Sequence, residues 1–257
     1  MMPSLHTTRS STLGTAAAIA ARELSSSFRL PLGWVAIALF VFLAGATFVI
    51  DTLRPGEPAS MRAYFSFAGW LLLPIVPAIS MRLIAEELRS GTIEPLLTSP
   101  AADFAIILGK FAGSFIFLIL LIAPSLVHAL ILRAHSEPTP DVGPLVTGYL
   151  ALALTAALYL AIGLLLSSVT SNQTLAFMLT FFAILTLLIV PALVEPRLPQ
   201  GPSWEWARAA SGTLSIGRKT ADFGRGVLDL SHLTFYVTAT AMLLALAGAS
   251  LESRRWR

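Results

Sequence analysis

The stretch of sequence that decides the fold is polar: MRLIAEELRSGTIEPLLTSP runs from Met81 to Pro100, between two long apolar segments. Its charged side chains are Arg82, Glu86, Glu87, Arg89 and Glu94. Each of them costs on the order of 2.5 to 3.5 kcal/mol at the centre of a membrane. The stretch therefore lies outside the hydrocarbon, and we expect it to form a structured element that another protein contacts.

The amino-acid composition is that of an integral membrane protein. Hydrophobic residues make up 56% of the 257 residues and charged residues 12%, whereas a soluble domain carries about a quarter charged residues. The mean hydropathy of +0.78 agrees with this class. The net charge of +3 comes from basic residues spread among loops, which suits contact with membrane lipid and predicts no nucleic-acid partner. The lack of cysteine excludes disulfides and thiolate chemistry.

Charge-free runs predict membrane-spanning helices, because about 20 apolar residues cross the hydrocarbon core. We predict six spans, at residues 31–50, 63–82, 104–132, 145–168, 174–194 and 231–251. The fourth and fifth share one uncharged run, broken only by the polar turn SSVTSNQT at Ser167 to Thr174. The third contains Lys110, whose long side chain is expected to reach the interface. Residues 1–257 thus form one all-α transmembrane domain.

An even number of spans returns both chain ends to the same side of the membrane. With the ends inside, the basic residues on the inner face are Arg9, Arg22, Arg29, Arg82, Arg89, Lys110, Arg254, Arg255 and Arg257. The short outer loops hold Arg54, Arg62 and Arg133. This asymmetry predicts that both termini and the polar stretch are cytoplasmic.

Two further segments are predicted to lie at the membrane surface. Residues 16–28 place Ala17, Ala20, Leu24 and Phe28 on one helical face, which favours a helix lying flat on the inner leaflet over the alternative of a disordered tail. Residues 195–230 contain Trp204 and Trp206, typical of an interfacial aromatic belt. There we expect short interfacial or re-entrant helices.

Turn signals predict a bent element within the polar stretch. From Ser80 the chain is expected to continue as a helix, which Gly91 ends in a left-handed cap. Thr92 is placed to cap a second short helix, and Ser99 with Pro100 starts the next span. We call residues 82–100 the elbow. A second interpretation remains open, in which the elbow is a solvated hairpin whose charges only hold the topology.

The elbow and the residues after it resemble the signature of type-2 ABC exporter permeases, in the GldF-like and NosY-like branch. The matching positions are Met81 with Arg82, Glu86 with Glu87, Gly91 with Thr92, Glu94, residues 96–100, and Gly109 with Lys110. Residues 23–45, residues 223–230 and the closing LESRRW are also similar to that family. Pro95 departs from the pattern, which expects a residue such as Leu there.

This resemblance implies a permease subunit of the bacterial inner membrane, which forms a pair with a second copy or a paralogue. Two cytoplasmic ATP-binding-cassette subunits would drive export, with a possible auxiliary membrane or periplasmic subunit. The elbow would act as the coupling helix that contacts the ATPase and tilts the first, second and fifth spans. The residues implied in that contact are Arg82, Glu86, Glu87, Arg89, Gly91, Thr92 and Glu94. No catalytic residue, cofactor or metal is expected in this chain.

Other functional classes find less support in the sequence. A membrane scaffold or assembly factor, with an elbow that docks a partner without transport, remains an alternative. An intramembrane enzyme is disfavoured because ionisable residues are scarce within the spans. His128 is expected to be a packed, hydrogen-bonded residue. GTLSIGRKT, at Gly212 to Thr220, nearly spells a phosphate-binding loop, but Arg218 puts Lys219 one place late.

Few polar residues fall within the spans. Few polar groups are expected to line them beyond Ser66, Thr155, Ser167 and Thr186. This scarcity favours a lipid-like, peptide or bulky amphipathic substrate.

Overall fold

The computed structural model describes residues 12–53, 59–92, 103–137, 139–199 and 201–255. Within these ranges the fold is helical and no strand occurs, which confirms the predicted all-α class. The described residues contain six helical segments long and apolar enough to cross a membrane, as predicted. They are Pro31–Thr52, Arg62–Ser90, Phe104–His135, Val142–Val169, Gln173–Arg197 and Leu230–Ser253.

The helices are numbered here in chain order. They are α1 (Thr12–Arg29), α2 (Pro31–Thr47), α3 (Arg62–Ser80), α4 (Ala85–Ser90), α5 (Asp103–Ile122), α6 (Leu126–His135), α7 (Val142–Val169), α8 (Gln173–Val194), α9 (Glu205–Leu214), α10 (Ile216–Gly224) and α11 (Leu230–Arg255). We call the end of the bundle that carries α4 the elbow end. The segment between α8 and α11 lies at the opposite end, the far end.

Breaks in the helices follow their local chemistry. A 3₁₀ turn at Ala123–Ser125 separates α5 from α6, because Pro124 supplies no N–H to an α-helical ladder. The polar stretch between α7 and α8 is a tight turn, as predicted. There the side chain of Asn172 accepts hydrogen bonds from the backbone N–H groups of Thr174 and Leu175, at 2.9 and 3.2 Å. These bonds satisfy two of the N–H groups that a helix start leaves free.

Helix α7 is the centre of the bundle. It packs against α3, α5, α8, α10 and α11. Close approach is possible because glycines face large or polar neighbours: a Cβ at Gly148 would overlap the ring of Phe65, and one at Gly163 would overlap the hydroxyl of Ser80. In a membrane, where lipid is as apolar as the core, such close backbone contact is a main source of helix association.

Helix α1 forms as predicted and packs along α5. Two glycines on α5, Gly109 and Gly113, allow this contact, since a Cβ at Gly109 would lie 2.8 Å from the carbonyl oxygen of Ala16. Leu24 and Phe28 pack against the protein core, whereas Ala17, expected on the same face, is exposed. The inward side of α1 therefore fits a protein groove, in addition to any contact that its outer side makes with lipid.

The segment at the far end contains two short helices. The 3₁₀ turns Glu195–Arg197 and Pro202–Trp204 lead into α9 and α10. Helix α10 contacts α3, α7 and α8, and its Phe223 is fully buried. The hydroxyl of Thr147 on α7 donates to the carbonyl oxygen of Phe223. Helix α10 is thus part of the bundle and not a loose surface segment.

Candidate functional site

In the described part of the elbow, a turn separates α3 from a six-residue helix. Helix α3 ends at Ser80, residues 81–84 form a turn, and α4 then runs to Ser90. The expectation of a helix continuing from Ser80 is therefore wrong. Gly91 closes α4 with φ 71, the left-handed conformation that the sequence predicts. Glu94, Pro95 and the second short helix expected after Thr92 lie outside the described residues.

The bend is stabilised by the hydroxyl of Ser167, near the end of α7. Its oxygen accepts hydrogen bonds from the backbone N–H groups of Ile84 and Ala85, at 3.1 and 3.0 Å. The same hydroxyl donates to the carbonyl oxygen of Met81 at 3.2 Å. A serine hydroxyl has one proton and two lone pairs, so all of its bonding capacity is used. Ser167 thus caps α4 from another helix and attaches the elbow to α7.

Lys110 on α5 provides a second attachment. Its ammonium lies 2.8 Å from Glu87 of the elbow and 3.4 Å from Glu23 of α1. Lys110 is only 4% exposed, and its ammonium ends at the elbow; that it reaches the membrane interface stays a prediction. Two carboxylates that approach the ammonium inside the protein compensate its charge, which makes burial tolerable. The ion pairs join α1, α4 and α5.

The predicted coupling residues therefore divide into two groups. Glu86 has 54% of its side chain exposed and lies 3.6 Å from Arg82, one helical turn earlier. The remaining residues at the surface are Arg89, Gly91 and Thr92. In contrast, Glu87 points inward to Lys110. The structure thus brings a charged outer surface and a buried ion pair together on one six-residue helix.

A polar cleft of about 220 Å³ lies beside this helix. It is lined by both signs of charge, including Arg22, Arg82, Glu86 and Glu87. A cleft with this lining suits side chains of another protein that carry charges or hydrogen-bonding groups.

His128 is packed, as expected. Its ring stacks on Phe48 with centroids 4.7 Å apart, and Tyr64 meets it edge-on at 5.5 Å. The buried Nδ1 atom has no hydrogen-bond partner within the described ranges. The expected hydrogen bond is therefore absent at this atom, because the neighbouring side chains are aromatic.

The sequence that resembles a phosphate-binding loop lies between two helices, at the end of α9 and the start of α10. The ammonium of Lys219 donates to the carbonyl oxygens of Thr213 and Gly212, at 2.6 and 3.4 Å. It also lies 4.5 Å from the ring centre of Phe235. Burial lowers the pKa of Lys219. The ammonium thus binds carbonyl groups in the last turn of α9.

The role of Ser167 could not be identified from the sequence. Its backbone partners lie 82 and 83 residues earlier, and no spacing rule connects a polar turn to a helix so distant. The pairing of Lys110 was likewise missed. A weak signal existed, since Lys110 and Glu87 belong to the same quoted signature.

In the part of the chain that the structure describes, an all-helical bundle with six candidate membrane spans and a polar elbow defines a multi-pass membrane protein. Comparison with known families gives the family itself: residues 57–247 match the family described as ABC-2 family transporter protein. The chain belongs to this family. It is the permease component of an ABC transporter, a class that typically pairs with an ATP-binding subunit. No curated protein matches the chain. The finer GldF-like and NosY-like assignment stays a prediction.

Replacing Ser167 with Ala is expected to loosen the start of α4. The change removes the cap and leaves the N–H groups of Ile84 and Ala85 without a partner, a loss of about 1 kcal/mol. Hydrogen exchange measured by mass spectrometry should then be about fivefold faster in residues 81–88. Ser168→Ala is the matched control, because that hydroxyl donates to Leu165 within α7. Equal exchange in the two variants would contradict the capping role.

Replacing Lys110 with Met is expected to destabilise the protein by about 3 kcal/mol, because Glu23 and Glu87 lose their shared counter-charge. Thermal unfolding followed by tryptophan fluorescence should show a midpoint lower by several degrees. Adding Glu87→Gln to this variant should recover part of the loss. Arg133→Met is the control, since Arg133 is an exposed cation at the other end of the same span. An unchanged midpoint for Lys110→Met would show that the ion pairs contribute nothing.

Proposed function

We propose that this chain is the membrane subunit of an ABC exporter and that its elbow receives the force generated by a separate ATP-binding subunit. Membership of the ABC-2 transporter family supports the class. The two buried attachments of the elbow support the mechanism. The proposal assigns no ATP hydrolysis to this chain.

The observation that carries the proposal is the way α4 is held. Ser167 bonds the start of α4 to α7, and Glu87 bonds its middle to Lys110 of α5. A load applied to α4 is therefore passed to two membrane-spanning helices, and through Glu23 to α1. A hairpin that merely connects α3 to α5 needs no buried polar attachments, so this arrangement favours coupling over a passive loop.

The contact with the ATP-binding subunit is assigned to the exposed side of α4 and the turn after it. Glu86 and Arg89 offer opposite charges there, and Gly91 and Thr92 shape the turn. A partner surface with complementary charges would be recognised by this pattern. Glu94 completes the proposed contact, and Arg82 orients Glu86 through their ion pair. Glu87 becomes a positioning residue in this proposal.

The orientation proposed is that of the sequence prediction. The elbow and both termini lie in the cytoplasm of a bacterium, and the protein resides in the inner membrane. Basic residues near the elbow end support this orientation through the positive-inside tendency. Movement of substrate is outward, or sideways into the lipid.

The assembly proposed contains two permease chains, identical or paralogous, and two ATP-binding subunits. In the fifth and sixth spans, 17% and 22% of an 18-residue window are buried within this chain, whereas in the second and fourth spans the share is 61%. The open spans leave apolar surface for membrane lipid and for a second permease chain. An auxiliary subunit has room on the same surfaces.

Capture of an ATP-binding subunit by the tagged chain tests the proposal directly. Reversing both charges, with Glu86→Lys and Arg89→Glu, should reduce that capture at least tenfold, because attractive contacts become repulsive. Glu252→Lys is the control, since Glu252 is an exposed acid near the end of α11, outside the elbow. Undiminished capture by the double variant would remove the elbow from the contact. The scaffold alternative would be supported if the ATP-binding subunit is captured but the charge reversal changes neither ATP hydrolysis nor substrate movement.

Single cysteines test the orientation, because the natural chain contains none. Ser90→Cys places a thiol on the elbow and Ser203→Cys places one at the far end; both positions are exposed. A membrane-impermeant maleimide should label intact cells at position 203 and label position 90 only after permeabilisation. The unmodified chain supplies the blank. The reverse pattern would overturn the proposed orientation.

A further inference from the structure

A small pocket opens between α3, α7, α8 and α10, in the part of the bundle nearer the far end. Its volume is about 40 Å³. Its polar lining consists of hydroxyl groups, and its mouth is beside a tryptophan. The residues used in the argument are Ser66, Trp70, Thr155, Tyr159, Gly217 and Thr220.

The hydroxyl of Tyr159 indicates which kind of group the pocket binds. The residue is 0% exposed, and its hydroxyl finds no hydrogen-bond partner in the part of the chain that the structure describes. The hydroxyl of Thr155, one turn earlier on α7, is by contrast 3.2 Å from that of Tyr236. A buried hydroxyl without a partner is costly and rare. Because Tyr159 lines the pocket, a polar group that enters it would give this hydroxyl a partner.

The lining selects for a neutral group. Apart from Tyr159 itself, none of the described residues that line the pocket carries an ionisable side chain. The nearby ammonium of Lys219 already donates to two carbonyl oxygens. A carboxylate or phosphate would lose its hydration without gaining a counter-charge, which is strongly unfavourable. A hydroxyl, carbonyl or amide meets no such penalty.

The size of the pocket excludes a whole substrate. Sites for drug-sized ligands measure roughly 300 to 1,000 Å³, whereas about 40 Å³ holds a group as large as two or three water molecules. The rest of such a molecule must extend through the mouth. Ser66 is exposed there and Trp70 is 47% exposed, on a helix that faces the membrane interior.

We propose that this pocket binds the neutral, hydrogen-bonding head of an amphipathic molecule, with the hydroxyl of Tyr159 as its partner and the apolar part lying against Trp70. The term substrate for this molecule rests on the proposed transport function. The binding itself requires no ATP-binding subunit, so the two proposals fail independently.

Quenching of Trp70 fluorescence tests the binding. The purified full chain is placed in lipid nanodiscs without nucleotide or partner, and the probe is 3,4-dibromododecan-1-ol, whose bromines follow the head group. The Trp70 signal is the difference between the unmodified chain and Trp70→Phe. The alcohol should half-quench this signal at a concentration at least fivefold lower than 3,4-dibromododecane, which has no polar head.

Two variants test whether the quenching of Trp70 arises from binding in the pocket. Tyr159→Phe removes only the hydroxyl and should raise the half-quenching concentration of the alcohol about threefold to tenfold. Gly217→Leu should do the same by narrowing the pocket, since Gly217 lines it and leaves open space for a larger side chain. Tyr64→Phe is the matched control, because Tyr64 is equally buried on α3 and lies outside the pocket.

The proposal is overturned if Tyr159→Phe and Gly217→Leu are both quenched like the unmodified chain. Tyr159 would then be satisfied by ordered water, and the pocket would bind no head group. Equal or stronger quenching by 3,4-dibromododecanoate would overturn the neutral character of the site. Charge reversal on the elbow should leave every one of these curves unchanged.

Discussion

The position of the elbow depends on the hydroxyl of Ser167. Where α3 stops and α4 begins, the backbone N–H groups of Ile84 and Ala85 are buried, and burial without a partner would cost them their hydrogen bonds to water. The hydroxyl satisfies both and binds the carbonyl of Met81 as well. Because this one group belongs to α7, the bend exists only in the presence of another helix. The local shape of the elbow is therefore a property of the bundle.

The ion pairs of Lys110 also attach the elbow to other helices, in this case through buried charges. An ammonium this deeply buried needs compensation, and the two carboxylates that provide it come from α1 and α4. Elements far apart in the chain are thereby held in one fixed arrangement at the elbow end. The far end also contains an ion pair, between Arg218 and Glu195, but it is more exposed, and hydroxyl-to-carbonyl contacts such as that of Thr147 with Phe223 lie beside it. The elbow end is thus held by buried charges, and the far end by neutral hydrogen bonds and a more exposed ion pair.

Much of this fold was accessible from the sequence, because charge-free length and glycine chemistry are local signals. The number of spans and the left-handed Gly91 follow directly from them. The contacts of the elbow were not predicted, since Ser167 and Lys110 act on residues distant in the chain. Glu87 looked like a surface charge for the same reason. A pattern of residue types records that a group is polar, and only the packed helices decide which way it faces.

The glycines that receive α1 impose an order on biogenesis. Glu23 and Lys110 are 87 residues apart, and the groove at Gly109 and Gly113 does not exist until α5 has left the ribosome. Until then α1 has no groove in which to pack, and Glu23 cannot form its ion pair with Lys110. The docking of α1 on α5 therefore follows the synthesis of the first two spans. Assembly of the elbow end is consequently a late event, completed only when the fourth span has followed the third, because Ser167 on α7 caps α4.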